Sequence, residues 1–325
     1  MMKYLPDRFS CMIVAMLILA TVLPIQGQAA ITFNTLTNVA IALLFFLHGA
    51  KLSREAIYAG ITHWRLHLTI FSATFILFPF LGLALKPLLE PLLGHQLYLG
   101  ILYLCLLPST VQSSIAFTSI AHGNVPAALC SASASNILGM FITPCLVGLF
   151  LITGSSTQSS FSLSAVLNII GLLFVPFVLG QLFSQKIRPI LKRQPNKIKI
   201  VDQGSILMVV YSAFSEAVIE GVWKQVSANQ LIVLVVVCMA LLFIAMFVIY
   251  FSSRKLGFNR ADQITILFCG SKKTLASGVP MAKILFAGHA FGLIILPLML
   301  FHQIQLITCG ILASRFAEKT KQNHP

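Results

Sequence analysis

Apolar residues run along the chain in ten long stretches, which short polar segments separate. At 1.5 Å per residue, most of these stretches are long enough to cross a hydrocarbon core of about 30 Å as an α-helix. A membrane β-barrel would show short alternating segments instead. The pattern therefore predicts an all-α polytopic membrane protein with ten transmembrane helices, here numbered spans one to ten, at about residues 11–30, 35–52, 66–87, 97–121, 126–152, 165–186, 204–222, 230–251, 261–286 and 289–313.

Composition supports this fold class. Only 9% of the residues are charged and 58% are hydrophobic, whereas soluble domains carry about 25% charged residues. A soluble domain could not bury so much apolar surface, so we treat residues 1–325 as a single transmembrane domain. The seven cysteines lie in or at the ends of apolar stretches, and none forms a C-x-x-C pair, so no disulfide or metal site is predicted.

The basic residues show how the chain is oriented. The net charge of +14 could suggest a nucleic-acid partner, but the lysines and arginines lie in short segments between apolar spans. With a cytoplasmic N-terminus, 17 of the 22 fall on the inner side and only Lys86 and Lys224 on the outer side. This asymmetry predicts a multi-pass protein of the inner (plasma) membrane with both termini cytoplasmic, beside a charged inner loop at residues 186–202. The bilayer, and not nucleic acid, is the expected partner.

The spans divide into two halves. A serine-rich segment at residues 154–162 separates five spans at about residues 11–152 from five at about residues 165–313. Because each half has an odd number of spans, the second half enters the membrane inverted relative to the first. This is the inverted-repeat plan of many secondary transporters.

Spans four and nine are both interrupted near their middle. Span four reads "CLLPSTVQSS" and breaks at Pro108-Ser109, and span nine reads "FCGSKKTLASGVP" and breaks at Gly270-Ser271. A simple proline kink is one interpretation. Two breaks at matching places favour another, since the freed backbone groups must face water, ions or substrate and not lipid. We therefore predict that the breaks form a substrate or ion site, with the candidate residues Ser109, Gln112, Ser113, Ser114, Ser271, Lys272, Lys273, Thr274 and Ser277.

Span five adds a run of small polar residues, "CSASASNILG". Ser131, Ser135 and Asn136 lie near one face of the predicted helix. Small residues at this density also allow close helix packing without any ligand. The sequence leaves ion lining and packing equally open.

Lys272 and Lys273 are unfavourable in span nine, because placing a lysine at the centre of a membrane helix costs about 2.5–3.5 kcal/mol of free energy on the lenient insertion scales. Three roles compete. The lysines could replace a bound cation with a fixed charge, or attract an anionic substrate beside a half-helix N-terminus. They could also pair with an intramembrane carboxylate, for which Glu216 in span seven is the candidate.

Four segments together carry a family resemblance: "LLFFLHGAKLSREAI", "LPSTVQSSIAFTSIAHGNV", "CSASASNILGMFITP" and "CGSKKTLASGVPMAK". With them the chain resembles the bile acid:sodium symporter superfamily, in particular its YfeH-like branch, which is related to the animal solute carrier family 10 member 7 group. The resemblance covers nearly the whole chain. It implies two inverted five-helix repeats, a panel domain and a core domain, and broken helices four and nine that cross near the midplane.

The sequence departs from the sodium-coupled members of that superfamily. Those members carry a glutamate in span nine where this chain has Ser271, and a Ser-Asn pair where it has Ser113-Ser114. Two sodium-binding hydroxyls of span five fall on Ala128 and Ala132. The scaffold carries over, but the sodium site does not carry over intact.

The expected function is secondary active transport, as a symporter of an organic anion, with a coupling cation that is either sodium at an altered site or another ion. No cofactor beyond a bound Na⁺ is expected. An intramembrane enzyme is not expected, since motifs such as H-E-x-x-H and G-x-S-x-G are missing from the sequence. A regulatory membrane protein or receptor without net transport is the alternative, although it would normally bring a sizeable loop or tail domain.

Overall fold

The computed structural model describes residues 8–51, 63–152, 175–219, 221, 226–286 and 291–323. These residues form helices, which confirms the all-α prediction. A five-residue π-helical turn, Ala73–Leu77, joins the third helix to the fourth. The helices are α1 (Arg8–Val22), α2 (Gly27–Lys51), α3 (Trp64–Ser72), α4 (Phe78–Ala84), α5 (Lys86–Leu93), α6 (His95–Leu106), α7 (Gln112–Ile120), α8 (Val125–Ile152), α9 (175–182), α10 (Ser184–Arg193), α11 (Pro195–Ile219), α12 (Ala228–Lys255), α13 (Arg260–Gly270), α14 (Gly278–Leu285) and α15 (Phe291–Asn323).

Five of the described segments are long and apolar enough to cross a membrane, which fits a polytopic membrane protein. They are Gly27–Ala50, Trp64–Ala84, Val125–Phe150, Ala228–Lys255 and Phe291–Glu318. The ten-helix inverted repeat stays a prediction. The serine-rich segment at 154–162 and the first part of span six lie outside the described residues.

The predicted boundary between spans one and two is wrong. The first helix ends at Val22 and the second begins at Gly27, so residues 28–30 belong to the second helix. Pro24 explains the early end, because it lacks an N–H and disfavours helical backbone in the residue before it. Gly27 has φ +61°, which glycine adopts without strain.

The segment at residues 186–202, predicted as a charged loop, is helical. It is divided between α10 and the first part of α11, with Gln194 between them at φ −133° and ψ 56°. Lysine and arginine are good helix formers. Pro195 begins α11 at a position where a missing N–H costs nothing. Charge alone therefore does not make this segment a loop.

Both predicted breaks are present. Between α6 and α7, Leu107 is extended at φ −76° and ψ 153°, and helix resumes at Gln112. Between α13 and α14, residues 271–277 are not helical. Both breaks are buried in the interior, and α8 passes beside the first of them. A Cβ on Gly139 of α8 would lie 2.5 Å from the Pro108 ring, so this close approach requires glycine.

Candidate functional site

The two breaks lie directly against each other, in agreement with the crossing of helices four and nine that the family resemblance implies. The Thr274 N–H of the second break donates to the Pro108 carbonyl of the first, at 3.0 Å. In the other direction, the Ser109 hydroxyl donates to the Cys269 carbonyl at the end of α13. The Ser114 hydroxyl donates to the Phe268 carbonyl at 3.2 Å. Side chains of span four thus satisfy carbonyls that the end of α13 leaves without helical partners.

Helix α8 braces this junction through two of its predicted residues. The Ser135 hydroxyl accepts from the Ser109 N–H at 3.1 Å, and the Asn136 amide donates to the Ser109 carbonyl at 2.6 Å. The Asn136 Oδ1 also accepts from the Ser277 hydroxyl at 3.2 Å. Asn136 therefore contacts both breaks at once. Ser135 and Asn136 fix backbone geometry here, which adds a specific role to the packing interpretation of span five.

Lys273 holds the junction together from the second break. Its ammonium donates to three main-chain carbonyls, those of Thr74 at 2.8 Å, Cys105 at 3.0 Å and Leu107 at 2.7 Å. The ring centroid of Phe78 lies 4.2 Å from the same nitrogen. The side chain is 0% exposed. The ammonium thus occupies a nest of oxygens that a bare cation could otherwise use.

The carbonyls of Thr74, Cys105 and Leu107 lack a backbone N–H donor within their own helices, which leaves them available to Lys273. Cys105 and Leu107 stand at the end of α6, where the last carbonyls lack helical donors and a positive charge is favoured. In the π turn, the Phe78 N–H bonds to the Ala73 carbonyl, five residues back. The donor for Thr74 in that register would be residue 79, which is a proline and has no N–H.

The main chain of Lys273 is fixed by Gln305 of α15, which sequence analysis missed. The Gln305 Oε1 accepts from the Lys273 N–H and its Nε2 donates to the Lys273 carbonyl, both at 2.9 Å. Gln305 is fully buried, and its Nε2 also lies 3.0 Å from His302 Nδ1. In the sequence, Gln305 is marked only by its polar amide side chain within an apolar span.

Lys272 takes a different environment. Its ammonium lies 4.4 Å from the ring centroid of Phe117 and 5.7 Å from that of Phe268. It is 3.5 Å from the Ser113 hydroxyl, which contacts Thr110 at 2.7 Å. The side chain is 0% exposed. Aromatic faces and hydroxyls stabilise this cation in place of water.

Three other candidates take positions that the sequence did not indicate. The Ser271 hydroxyl donates to the Leu267 carbonyl of its own helix at 2.6 Å. Ser131 lies 2.6 Å from Nδ1 of His67 on α3, a buried residue that sequence analysis missed. Gln112 is exposed at the beginning of α7. Of these, only Ser271 belongs to the junction itself.

Glu216 corrects one hypothesis, because it does not face Lys272 or Lys273. Its Oε1 accepts from the Asn34 amide at 3.1 Å. The Oδ1 of Asn34 accepts from Lys283 Nζ at 2.7 Å, and Lys283 also donates to the Ser212 hydroxyl at 2.6 Å. This second cluster joins α2 and α11 to α14, the second half of the broken span nine. The carboxylate therefore faces Lys283 across one amide.

The junction does not fit a bound sodium ion. The carbonyls of Thr74, Cys105 and Leu107 are taken by the Lys273 ammonium, and the Lys272 ammonium lies 3.5 Å from the Ser113 hydroxyl. In the ranges that the structure describes, no hydrogen bond brings a carboxylate to either break, and no group of three His, Cys, Asp or Glu side chains could hold a metal. Neither lysine is exposed, and the expectation that they attract an anionic substrate at the broken helix stays a prediction.

Comparison with known proteins adds the following likenesses. Residues 7–318 match the SBF-like CPA transporter family. The chain is 55% identical over 317 residues to an uncharacterized protein of Pseudomonas aeruginosa, covering 98% of this chain and 95% of that one. It is 51% identical over 316 residues to "Putative symporter YfeH" of Escherichia coli, covering 97% and 94%. It is 31% identical over 281 residues to sodium/bile acid cotransporter 7 of Mus musculus, covering 86% and 82%.

Proposed function

The chain belongs to the SBF-like CPA transporter family, and from this premise we propose that it is a secondary active transporter of an organic anion. Its family and named relatives are transporters, so it is a transporter and not an enzyme. The same relatives confirm the resemblance to the bile acid:sodium symporter superfamily and to its branch with YfeH and solute carrier family 10 member 7.

The ammonium of Lys273 in its nest of three carbonyls is the observation that carries the mechanism. We infer that this tethered charge takes the place of a bound cation, and that it stabilises the end of α6 without an ion from solution. Two unit charges 4 Å apart repel by about 4 kcal/mol at an effective dielectric of 20, which weakens binding by roughly a thousandfold. A sodium ion at the junction would meet such repulsion from both lysines.

The transporter scaffold we propose has ten helices in two inverted repeats, with the junction of the breaks inside it. The 17-to-2 distribution of basic residues supports an inner-membrane location with both termini in the cytoplasm. Any sodium coupling is then weak or uses other residues, and a different coupling ion drives transport.

Lys283 is the cation that we assign to the substrate's anionic group. The name of the mouse relative joins sodium with bile acid, an organic anion, which supports that substrate class. Lys272 and Lys273 are enclosed, but Lys283 is partly exposed and its ammonium bonds to the neutral side chains of Asn34 and Ser212. Its charge is not cancelled by a direct ion pair with Glu216.

The test begins with a comparison of metabolites in cells with and without the gene, which selects candidate anions. Uptake of those anions into proteoliposomes is then measured with sodium, and with sodium replaced by choline. We expect uptake to persist in choline, to fall in Lys283→Gln, and to be unchanged in the control variant Lys86→Gln, another partly exposed lysine, which lies far along the chain from Lys283. Failure of every candidate anion to enter would contradict the proposed function, and uptake that requires sodium would contradict the tethered-charge mechanism.

A further inference from the structure

A long groove runs along the outside of the molecule between the α3–α4 segment and α12. Its volume is about 620 Å³, and its lining includes Leu68, Ile76 and Phe80 on one wall and Val248 and Ser252 on the other. Leu68, Ile76 and Phe80 are each more than half exposed. The walls are almost entirely apolar, so the groove suits a hydrocarbon ligand.

The groove is long enough to hold the acyl chain of one leaflet along part of its length. The lining on the α3–α4 side runs from Trp64 to Phe80. At 1.5 Å per residue this is about 24 Å. One leaflet contributes about half of a 30 Å hydrocarbon core. An acyl chain that enters from the leaflet at the Trp64 end can therefore lie in the groove from Trp64 to the beginning of the π turn at Ala73, about 14 Å away at 1.5 Å per residue.

The end of the groove at Trp64 is basic. The Arg65 guanidinium donates to the Leu256 carbonyl at 3.2 Å and lies 5.7 Å from the Phe258 ring centroid. Arginine has five N–H donors, so donors remain for a ligand. Arg254 and Lys255 are exposed at the same end of α12. The distribution of basic residues predicts that this end faces the cytoplasm.

We propose that this groove is a binding site for an anionic membrane phospholipid, with one acyl chain between α3–α4 and α12 and the phosphate against Arg65. Basic pockets between membrane helices on the cytoplasmic side are suited to such headgroups. The charge at the mouth selects an anionic headgroup over a zwitterionic one. The apolar walls select an acylated ligand over free phosphate.

The bound lipid has a structural consequence for the junction of the breaks. The lining includes Ala73 and Leu77, which begin and end the π turn. Between them stands Thr74, whose carbonyl accepts a hydrogen bond from Lys273. A lipid chain in the groove therefore packs behind the turn that holds the Lys273 ammonium, and it stabilises the folded state.

The headgroup is tested on the purified full chain in neutral detergent, with dioleoylphosphatidylglycerol, dioleoylphosphatidylcholine or glycerol 3-phosphate added. Thermal stability and native mass spectrometry report binding. We expect saturable binding of the phosphatidylglycerol, weaker binding of the phosphatidylcholine and none of glycerol 3-phosphate. Arg65→Gln weakens phosphatidylglycerol binding about five-fold, which corresponds to about 1 kcal/mol per basic residue near the surface. Arg315→Gln, an exposed control at the predicted cytoplasmic end, leaves it unchanged.

The acyl site is tested by filling the groove. Ser252→Phe places a ring between the walls and is expected to abolish saturable lipid binding. Val236→Phe, on the same helix but outside the groove, is expected to keep it. Equal binding of the two phospholipids, or equal effects of Arg65→Gln and Arg315→Gln, would overturn the anionic site. Retained binding in Ser252→Phe would overturn the groove as its location.

Discussion

At the scale of single residues, the Lys273 ammonium accounts for three carbonyl groups that have no other described donor. A buried polar group without a partner costs about 1–3 kcal/mol, and hydrogen bonds to charged groups contribute about 1.5–3 kcal/mol. Burying the Lys273 ammonium costs free energy. Replacing Lys273 costs more, because the carbonyls of Thr74, Cys105 and Leu107 then remain buried without a donor.

We predict that Lys273→Met lowers the free energy of unfolding by about 3 kcal/mol, because it leaves three buried acceptors unsatisfied. Thermal denaturation of the purified protein measures this. Lys86→Met, whose side chain is 42% exposed, is the matched control and should change stability by less than about 0.5 kcal/mol. Equal stability of the two variants would contradict the role given to Lys273.

A second residue-scale prediction concerns Glu216 and Lys283, which face each other across the Asn34 amide. Residues in one hydrogen-bonded network couple energetically, typically by about 0.5–3 kcal/mol. We expect Glu216→Gln and Lys283→Met to be non-additive in a double-mutant cycle of thermal stability. The same cycle with Lys272→Met in place of Lys283→Met should be additive. Additive effects of Glu216→Gln and Lys283→Met together with non-additive effects of Glu216→Gln and Lys272→Met would contradict the structure and support a pair of Glu216 with Lys272.

The sequence identified Lys272 and Lys273 as unusual but not what they contact. Thr74 lies 199 positions before Lys273, and its carbonyl is free only because a π turn is followed by Pro79. Neither the turn nor its position beside the second break follows from the local pattern. The same limit applies to Gln305, which makes its contacts through tertiary packing and not through spacing.

At the scale of helices, the two breaks were predictable and several boundaries were not. Pro108 and the Gly270-Ser271 pair interrupt apolar spans, so local chemistry marks both breaks. The charge of the inner segment at 186–202 predicts a loop, but the structure shows helix on both sides of Gln194. Proline at the first position of α11 is instead compatible with helix. Its charged side chains require water but do not prevent helix formation.

Helix α8 supplies the element-scale prediction, since Gly139 lets it approach Pro108. A Cβ at this position would lie 2.5 Å from the proline ring, so Gly139→Ala must displace α8 from the first break. We expect a loss of about 1–3 kcal/mol of stability, as in overpacked cores. Gly204→Ala on α11 has no atom within 4 Å of the new Cβ and should stabilise by up to about 1 kcal/mol. A stabilised Gly139→Ala would contradict the close contact, and thermal denaturation distinguishes the two results.

At the scale of the whole molecule, the distribution of charge predicts orientation. Single cysteines at Gln194 and Asn323 should be protected from a membrane-impermeant thiol reagent in intact cells and labelled after permeabilisation. Glu90, beside the predicted outer residue Lys86, gives a position that should react in intact cells. Labelling of Gln194 or Asn323 from outside would refute the cytoplasmic placement of the termini and the charged segment.

The central claim is that tethered lysine charges stand where a coupling cation would bind. The most direct measurement is the thermal stability of the purified protein across a titration of sodium chloride, with choline chloride at matched ionic strength. The account predicts that the two titrations coincide, because the carbonyls at the break are occupied by the Lys273 ammonium and a further cation is repelled. Saturable stabilisation at low-millimolar sodium, lost when Ser271 is replaced by alanine, would contradict it and show that a sodium site survives at the broken helix.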